Sequence, residues 1–188
     1  LVRSRGLGDV YKRQVLCGMF AALVAIGAFI QIPVPYMDYF TLQFFFVLLA
    51  GLILGADKGA ISVGCYVLLG LVGVPIFAAG GGIGYIFRPS FGYLVGFIVS
   101  AYVTGKVCEK LKASYKNYLL ACLAGFVVTY AIGIVYKFII LNFYAHTPAT
   151  LGVIFLSCFP LDMPGDFVLC LLAAGVGLRM RKSGFYLS

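Results

Sequence analysis

The chain has 188 residues, of which 63% are hydrophobic and only 11% are charged. Soluble domains are about 45–50% apolar and about 25% charged, so water cannot solvate a surface of this composition and we predict an all-α integral membrane protein in contact with the lipid bilayer. The net charge of +8 does not indicate a nucleic-acid partner, because the basic residues lie at the edges of apolar segments and not on one polar face.

Residues 1–14, LVRSRGLGDVYKRQ, differ from the rest in being polar and basic. DVYKRQ resembles the translation of an adapter end used in sequencing libraries, so we expect an artefactual tail, with a native basic cytoplasmic tail as the alternative. We leave these residues out of functional reasoning. The remainder predicts a single membrane domain over residues 15–182 and a short C-terminal tail over 183–188.

Six apolar segments follow one another in this domain, and each is a candidate transmembrane helix. Several are shorter than the roughly 20 residues that a perpendicular span requires. We therefore predict a compact six-helix bundle whose helices extend into the connecting loops. The segments are 15–32, 41–54, 60–72, 91–107, 118–143 and 161–178.

Lysines and arginines predict the orientation of this bundle. Outside the tail, eight of them lie after segments two, four and six, whereas the loops after segments one, three and five contain only Arg88. Basic loops favour the cytoplasmic side, so we predict that both termini are cytoplasmic. The eight are Lys58, Lys106, Lys110, Lys112, Lys116, Arg179, Arg181 and Lys182.

A glycine-rich loop between segments three and four is the most unusual stretch of the sequence. Its four glycines include Gly81 and Gly82, and such a run permits positive φ and close approach of another group. We interpret it as a lid and one wall of a binding site, with Tyr85 and Tyr93 among the aromatic residues of the apolar wall. The alternative is a flexible connection between two helices.

Three charged side chains occur where charge is costly in a membrane: Arg88, Lys137 and Asp166. Near the bilayer centre such a charge costs about 2.5–3.5 kcal/mol, so it indicates a functional site by default. The predicted topology puts all three near the outer face, where one small ligand can contact them. The alternative is that Lys137 and Asp166 pair with each other or that Lys137 snorkels. Gln43, at the start of segment two, is a further polar group that requires a partner if buried.

Signatures of enzymes and of metal or cofactor sites are missing from the sequence. There is no GxSxG, no HExxH and no GK[ST] after the glycine run, and the six cysteines show no CxxC or paired spacing. We predict a protein that is not an enzyme and binds no metal or cofactor. A stand-alone channel or secondary transporter, an intramembrane enzyme and a structural subunit are the alternatives, although no polar stripe or inverted repeat is visible.

Three blocks of the chain carry a family resemblance: TLQFFFVLLAGLILG at 41–55, LLGLVGVPIFAAGGGIGYIFRPSFGYLVGF at 68–97, and PGD at 164–166. Together they resemble the BioY family, the biotin-specific S-components of energy-coupling-factor transporters. The middle block is the most specific, and the resemblance covers residues 15–182.

The resemblance implies a six-helix protein of the bacterial cytoplasmic membrane that captures biotin from outside. It implies partners: a transmembrane energy-coupling subunit and two cytoplasmic ATPases, which supply the energy. The family's PGD acid matches Asp166, which is suited to accept a ureido N–H bond, and the glycine loop would close over the ligand. The family's partner-binding face of small residues on the first helix maps onto Ala21 and Ala25.

One position departs from the family pattern. Many members carry a lysine three residues after the acid, where this chain has Leu169. Arg88 or Lys137 then supplies the cation for the ligand carboxylate. A related vitamin or a biotin precursor is the alternative ligand.

Overall fold

The computed structural model describes residues 2–32, 40–145, 147, 149–158 and 162–184, with only the backbone described for residues 2–9. Asp38, His146 and residues 185–188 of the predicted C-terminal tail lie outside these ranges. The described residues form seven α-helices and one small two-stranded sheet.

The helices are α1 (Val2–Phe29), α2 (Gln43–Leu54), α3 (Ala56–Val72), α4 (Phe91–Lys110), α5 (Tyr115–Ile139), α6 (Leu151–Cys158) and α7 (Asp162–Lys182). Four helical stretches of the described chain are long and apolar enough to cross a membrane: Val10–Phe29, Phe91–Lys110, Tyr115–Tyr144 and Asp162–Lys182. The six predicted segments correspond to α1 to α5 and α7, and α2 and α3 are shorter than the others. This confirms a nearly all-helical membrane-type fold.

Three boundaries differ from the prediction. The loop between segments five and six contains α6, and a π-helical turn over Ile140–Tyr144 extends α5. The five residues between segments two and three, 55–59, reduce to Gly55 alone, whose φ of 82° ends α2 before α3 begins at Ala56. Helix α1 begins at Val2 and passes through position 15 without a break, so the expected change at residue 15 is compositional only.

A short antiparallel hairpin lies at the end of α1. Strand β1 (Gln31–Ile32) pairs with β2 (Phe40–Thr41), with Gln31 opposite Thr41. Leu42 N also donates to Ile30 O at 3.1 Å. These contacts place the start of α2 beside the end of α1.

Small residues allow α4 and α5 to cross closely. A Cβ on Gly125 would overlap Ser100 Oγ and Thr104 Oγ1, and a Cβ on Gly96 would lie 3.0 Å from Thr129 O. Small residues four apart on facing helices are the usual means of close packing in membranes, where the hydrophobic effect does not press helices together. The backbones of α4 and α5 therefore approach closely.

Polar contacts join α4 to α3 and α7 to α5 at the end of the bundle where α4 and α7 terminate. Glu109 on α4 accepts a hydrogen bond from Ala56 N at 2.9 Å, and its other oxygen lies 3.6 Å from Lys106 Nζ. A carboxylate suits the positive end of the α3 dipole. Arg181 on α7 donates to the hydroxyl of Tyr118 on α5 at 3.0 Å.

Candidate functional site

A cavity of about 100 Å³ lies where α2, α4 and α7 begin and α5 approaches its end. Its walls come from four helices, the glycine-rich loop and β2, so no single element forms it. The lining residues are Phe40, Thr41, Gln43, Phe44, Ala78, Ala79, Tyr85, Ser90, Tyr93, Leu94, Phe97, Tyr130, Lys137, Asp162 and Asp166.

The acid of this cavity is Asp166, in the second turn of α7. Its Oδ2 accepts a hydrogen bond of 2.8 Å from the hydroxyl of Tyr130 on α5. Its Oδ1 has no hydrogen-bond partner among the described residues. One carboxylate oxygen is thus held by the protein and the other is left to the cavity. Asp162, one helical turn earlier, also lines the cavity.

The amide of Gln43 is the second polar group. Gln43 opens α2 and is only 3% exposed, because Gly27 of α1 packs directly against its backbone. Its Nε2 has no hydrogen-bond partner within the described part of the chain. The neighbouring Tyr66 hydroxyl donates to Ile76 O at 3.0 Å. A buried donor without a partner costs about 1–3 kcal/mol, which a ligand carbonyl can recover.

Lys137 provides a cation in the same cavity. It lies on α5 seven residues after Tyr130, so both side chains project from one face of the helix. Among the described residues no carboxylate lies within ion-pair distance of its Nζ. Lys137 and Asp166 therefore share a cavity without neutralising each other, contrary to the alternative of a structural ion pair.

The glycine-rich loop is anchored to α3. The ring of Phe77 packs onto Gly70, where a Cβ would overlap it, and lies 5.5 Å from the Tyr66 ring and 4.6 Å from the Tyr85 ring. Gly82 N donates to Gly70 O at 2.7 Å. The loop therefore packs against α3 and forms one wall of the cavity. It is not merely a flexible connection between two helices.

Not every residue predicted for the site lines the cavity. Gln43, Tyr85, Tyr93, Lys137 and Asp166 line it. Gly81, Gly82 and Arg88 do not line it; Arg88 is exposed, and its guanidinium carbon lies 5.4 Å from the Tyr85 ring centre. A ligand-binding role for these three stays a prediction.

Sequence reasoning missed Tyr130 and Asp162. Tyr130 is 5% exposed, and its ring packs between Tyr93, at 5.8 Å, and Phe126, at 4.7 Å. The spacing of seven from Lys137 and of four between the two acids could have pointed to them, since both spacings return a side chain to the same helix face. Nothing in the sequence alone shows that α5 and α7 meet there.

The small-residue face of α1 is divided between core and surface. Ala21 is 9% exposed and belongs to the core, whereas Ala25 is half-buried. Gly18 and Ala22, the other pair with this spacing, are exposed, and Gly18 has open space around its Cα. The assignment of Ala21 and Ala25 to a partner interface stays a prediction.

The cavity offers a carboxylate, a free amide donor and an amine, set between tyrosine and phenylalanine rings. Such a site fits a small ligand that combines several polar groups with an apolar part. Together with the apolar helices, this defines a membrane-embedded solute-binding protein.

The BioY family model matches residues 4–184, and the chain belongs to this family. It is 39% identical over 169 residues to the probable biotin transporter BioY of Lysinibacillus sphaericus, covering 89% of this chain and 86% of that protein. It is 38% identical over 175 residues to the biotin transporter BioY of Thermotoga maritima, covering 91% and 96%.

The fold also matches a solved structure. The crystal structure of the S-component for biotin from an ECF-type ABC transporter superposes with a TM-score of 0.82 and 25% identity, covering 93% of each chain. The family resemblance identified from the three sequence blocks is thus confirmed.

Proposed function

We propose that this protein is the substrate-binding membrane subunit of an energy-coupling-factor transporter and that it captures biotin at the outer face of the cell membrane. Family membership, the named relatives and the structural neighbour support this role. A transmembrane energy-coupling subunit and two cytoplasmic ATPases would supply the energy for uptake, and α1, with Ala21 and Ala25, would contact the transmembrane partner.

The observation that carries the proposal is that Asp166 and Gln43 line the same cavity. A ureido ring presents an N–H donor beside a C=O acceptor. Asp166 Oδ1 can accept the first, and the unpartnered Gln43 Nε2 can donate to the second. The tyrosine and phenylalanine rings supply the apolar wall for the rest of the ligand.

Lys137 is the cation we assign to the ligand carboxylate. At the position of the family lysine, Leu169 is 5% exposed and packs in the core, so α7 supplies no amine there. The lysine of α5 lines the cavity without an ion-pair partner among the described residues, whereas Arg88 is outside it. Arg88 is then a charge at the entrance, where it can attract an anionic ligand.

The proposed topology has six spans with both termini in the cytoplasm. The basic residues after α4 and α7 lie at the end opposite the cavity, which supports a cavity that opens outward. Helices α2 and α3, with 12 and 17 residues, would span only with help from adjoining loops.

Direct binding of biotin by the purified protein, and uptake of tritiated biotin in a biotin-auxotrophic host, test this function. We expect binding of micromolar or better affinity, and a loss of about tenfold or more in Asp166→Ala, because a buried ligand donor left without its partner costs about 1–3 kcal/mol. The control is Asp57→Ala, which removes an exposed acid at the far end of α3. Equal binding by parent and Asp166→Ala would reject the site.

The departure at Leu169 favours one second candidate, an S-component for a biotin precursor or another vitamin. Comparing the binding of biotin, desthiobiotin, lipoate, thiamine and riboflavin distinguishes the two hypotheses. Strongest binding of a ligand other than biotin would replace biotin in the proposal while leaving the transporter class intact.

A further inference from the structure

We infer that Tyr130 is a positioning residue that sets the orientation of the Asp166 carboxylate and so determines how well the site recognises a ureido N–H. This role rests on the proposed function. The hydroxyl donates to Asp166 Oδ2 at 2.8 Å, which turns the carboxylate so that Oδ1 is left for the ligand.

The Tyr130 ring is itself fixed. It packs at 77° to the ring of Tyr93 and at 46° to the ring of Phe126, and only 5% of the residue is exposed. A buried ring that packs against two other rings brings its hydroxyl to a defined position. The hydrogen bond therefore couples a rigid part of α5 to the acid of α7, whose side chain would otherwise rotate freely about χ2.

Preorganisation is the physical advantage of this arrangement. An aspartate without this bond must adopt one of several orientations when the ligand arrives, and that ordering reduces affinity. Tyr130 fixes the orientation during folding, before the ligand binds. Its effect on affinity should consequently pass through Asp166 and through no other group.

The basic experiment compares Tyr130→Phe with the parent and with Tyr118→Phe. Tyr118 lies on the same helix, about 18 Å away, and its hydroxyl also takes part in a side-chain hydrogen bond, which it accepts from Arg181. We expect Tyr130→Phe to weaken biotin binding about five- to tenfold, as the loss of one hydrogen bond implies. Tyr118→Phe should leave biotin affinity within about twofold of the parent.

A double-mutant cycle separates positioning from a general structural effect. In the Asp166→Ala background, measured by competition at high ligand concentration, Tyr130→Phe should change affinity by no more than about twofold. If binding to Asp166→Ala is too weak to measure, the ligand is changed in place of Asp166, and the cycle combines Tyr130→Phe with a modified biotin. Tyr130→Phe should then weaken biotin more than an analogue methylated at the ureido nitrogen, and so reduce the discrimination between them.

Equal losses in both backgrounds, or equal losses for both ligands, would overturn the positioning role. So would parent-like affinity in Tyr130→Phe. A parent protein that binds only panel ligands without a ureido ring (lipoate, thiamine or riboflavin) would instead reject the proposed substrate, and with it this recognition of a ureido group.

Discussion

The polar side chains of the cavity differ in how far the protein satisfies them. Asp166 has one oxygen bonded to Tyr130, whereas Gln43 Nε2 has no partner and Lys137 no ion pair among the described residues. Unsatisfied buried groups weaken the empty protein, and a ligand that pairs with them recovers that free energy. We therefore expect the site to select ligands that supply partners for these groups.

At this scale the charge of Lys137 makes a specific prediction. Lys137→Met keeps most of the side-chain volume but removes the cation, so we expect biotin affinity to fall about tenfold or more. The affinity for biotin amide, which carries no carboxylate, should change by less than about twofold. Isothermal titration of both ligands measures this difference.

Arg88→Met is the matched control for Lys137→Met. Because the guanidinium lies outside the cavity over Tyr85, its loss should slow association at low ionic strength more than it speeds dissociation. The two roles would be reversed if Arg88→Met lost the discrimination between biotin and its amide while Lys137→Met retained it. Arg88 would then be the partner of the ligand carboxylate.

Among the elements, α4 and α5 are the pair whose packing depends most on small residues. Ser100 and Thr104 point at Gly125, and their hydroxyl oxygens have no hydrogen-bond partner among the described residues. A glycine Cα–H beside such an oxygen makes a weak but favourable contact. The close crossing also brings Tyr93 and Tyr130 together above it, so the geometry of the site depends on this packing.

Gly125→Ala should therefore destabilise the bundle, because the added methyl overlaps both hydroxyls. Overpacking typically costs about 1–3 kcal/mol. Gly64→Ala is the control, since a Cβ there has nothing within 4 Å and alanine favours a helix by about 1 kcal/mol. The midpoint temperature of thermal unfolding in detergent should fall for Gly125→Ala and stay equal or rise for Gly64→Ala. Equal shifts would show that the α4–α5 contact is not as close as described.

For the whole molecule, the cavity and the basic residues that follow α4 and α7 occupy opposite ends, whereas Lys137 and Arg88 lie at the cavity end. Lys112, in the turn between α4 and α5, and Gly84, in the glycine-rich loop, mark these ends, and both are exposed. The positive-inside rule puts Lys112 in the cytoplasm. The cavity would then face the medium from which a solute is captured.

Labelling with a membrane-impermeant maleimide tests this orientation. In intact cells Gly84→Cys should react, and Lys112→Cys should react only after permeabilisation. The parent, with its native cysteines, gives the background signal. Labelling of Lys112→Cys in intact cells would invert the proposed topology.

The sequence by itself determined the class of the protein. Its apolar composition requires lipid, the spacing of its apolar segments predicts the helices, and the glycine block with the PGD acid carries the family resemblance. These properties can be read along the chain without knowing which distant segments pack together. Gln43, Tyr85, Tyr93, Lys137 and Asp166 were found because polar and aromatic groups stand out in an apolar sequence.

Only the tertiary structure decided which of these groups share a cavity. It placed Lys137 at the cavity and Arg88 outside it, joined Tyr130 to Asp166, and showed Phe77 fastening the loop onto Gly70. Each of these facts depends on how two distant segments pack. Such contacts follow from the crossing of whole helices, and the periodicity of a single segment contains no information about that crossing.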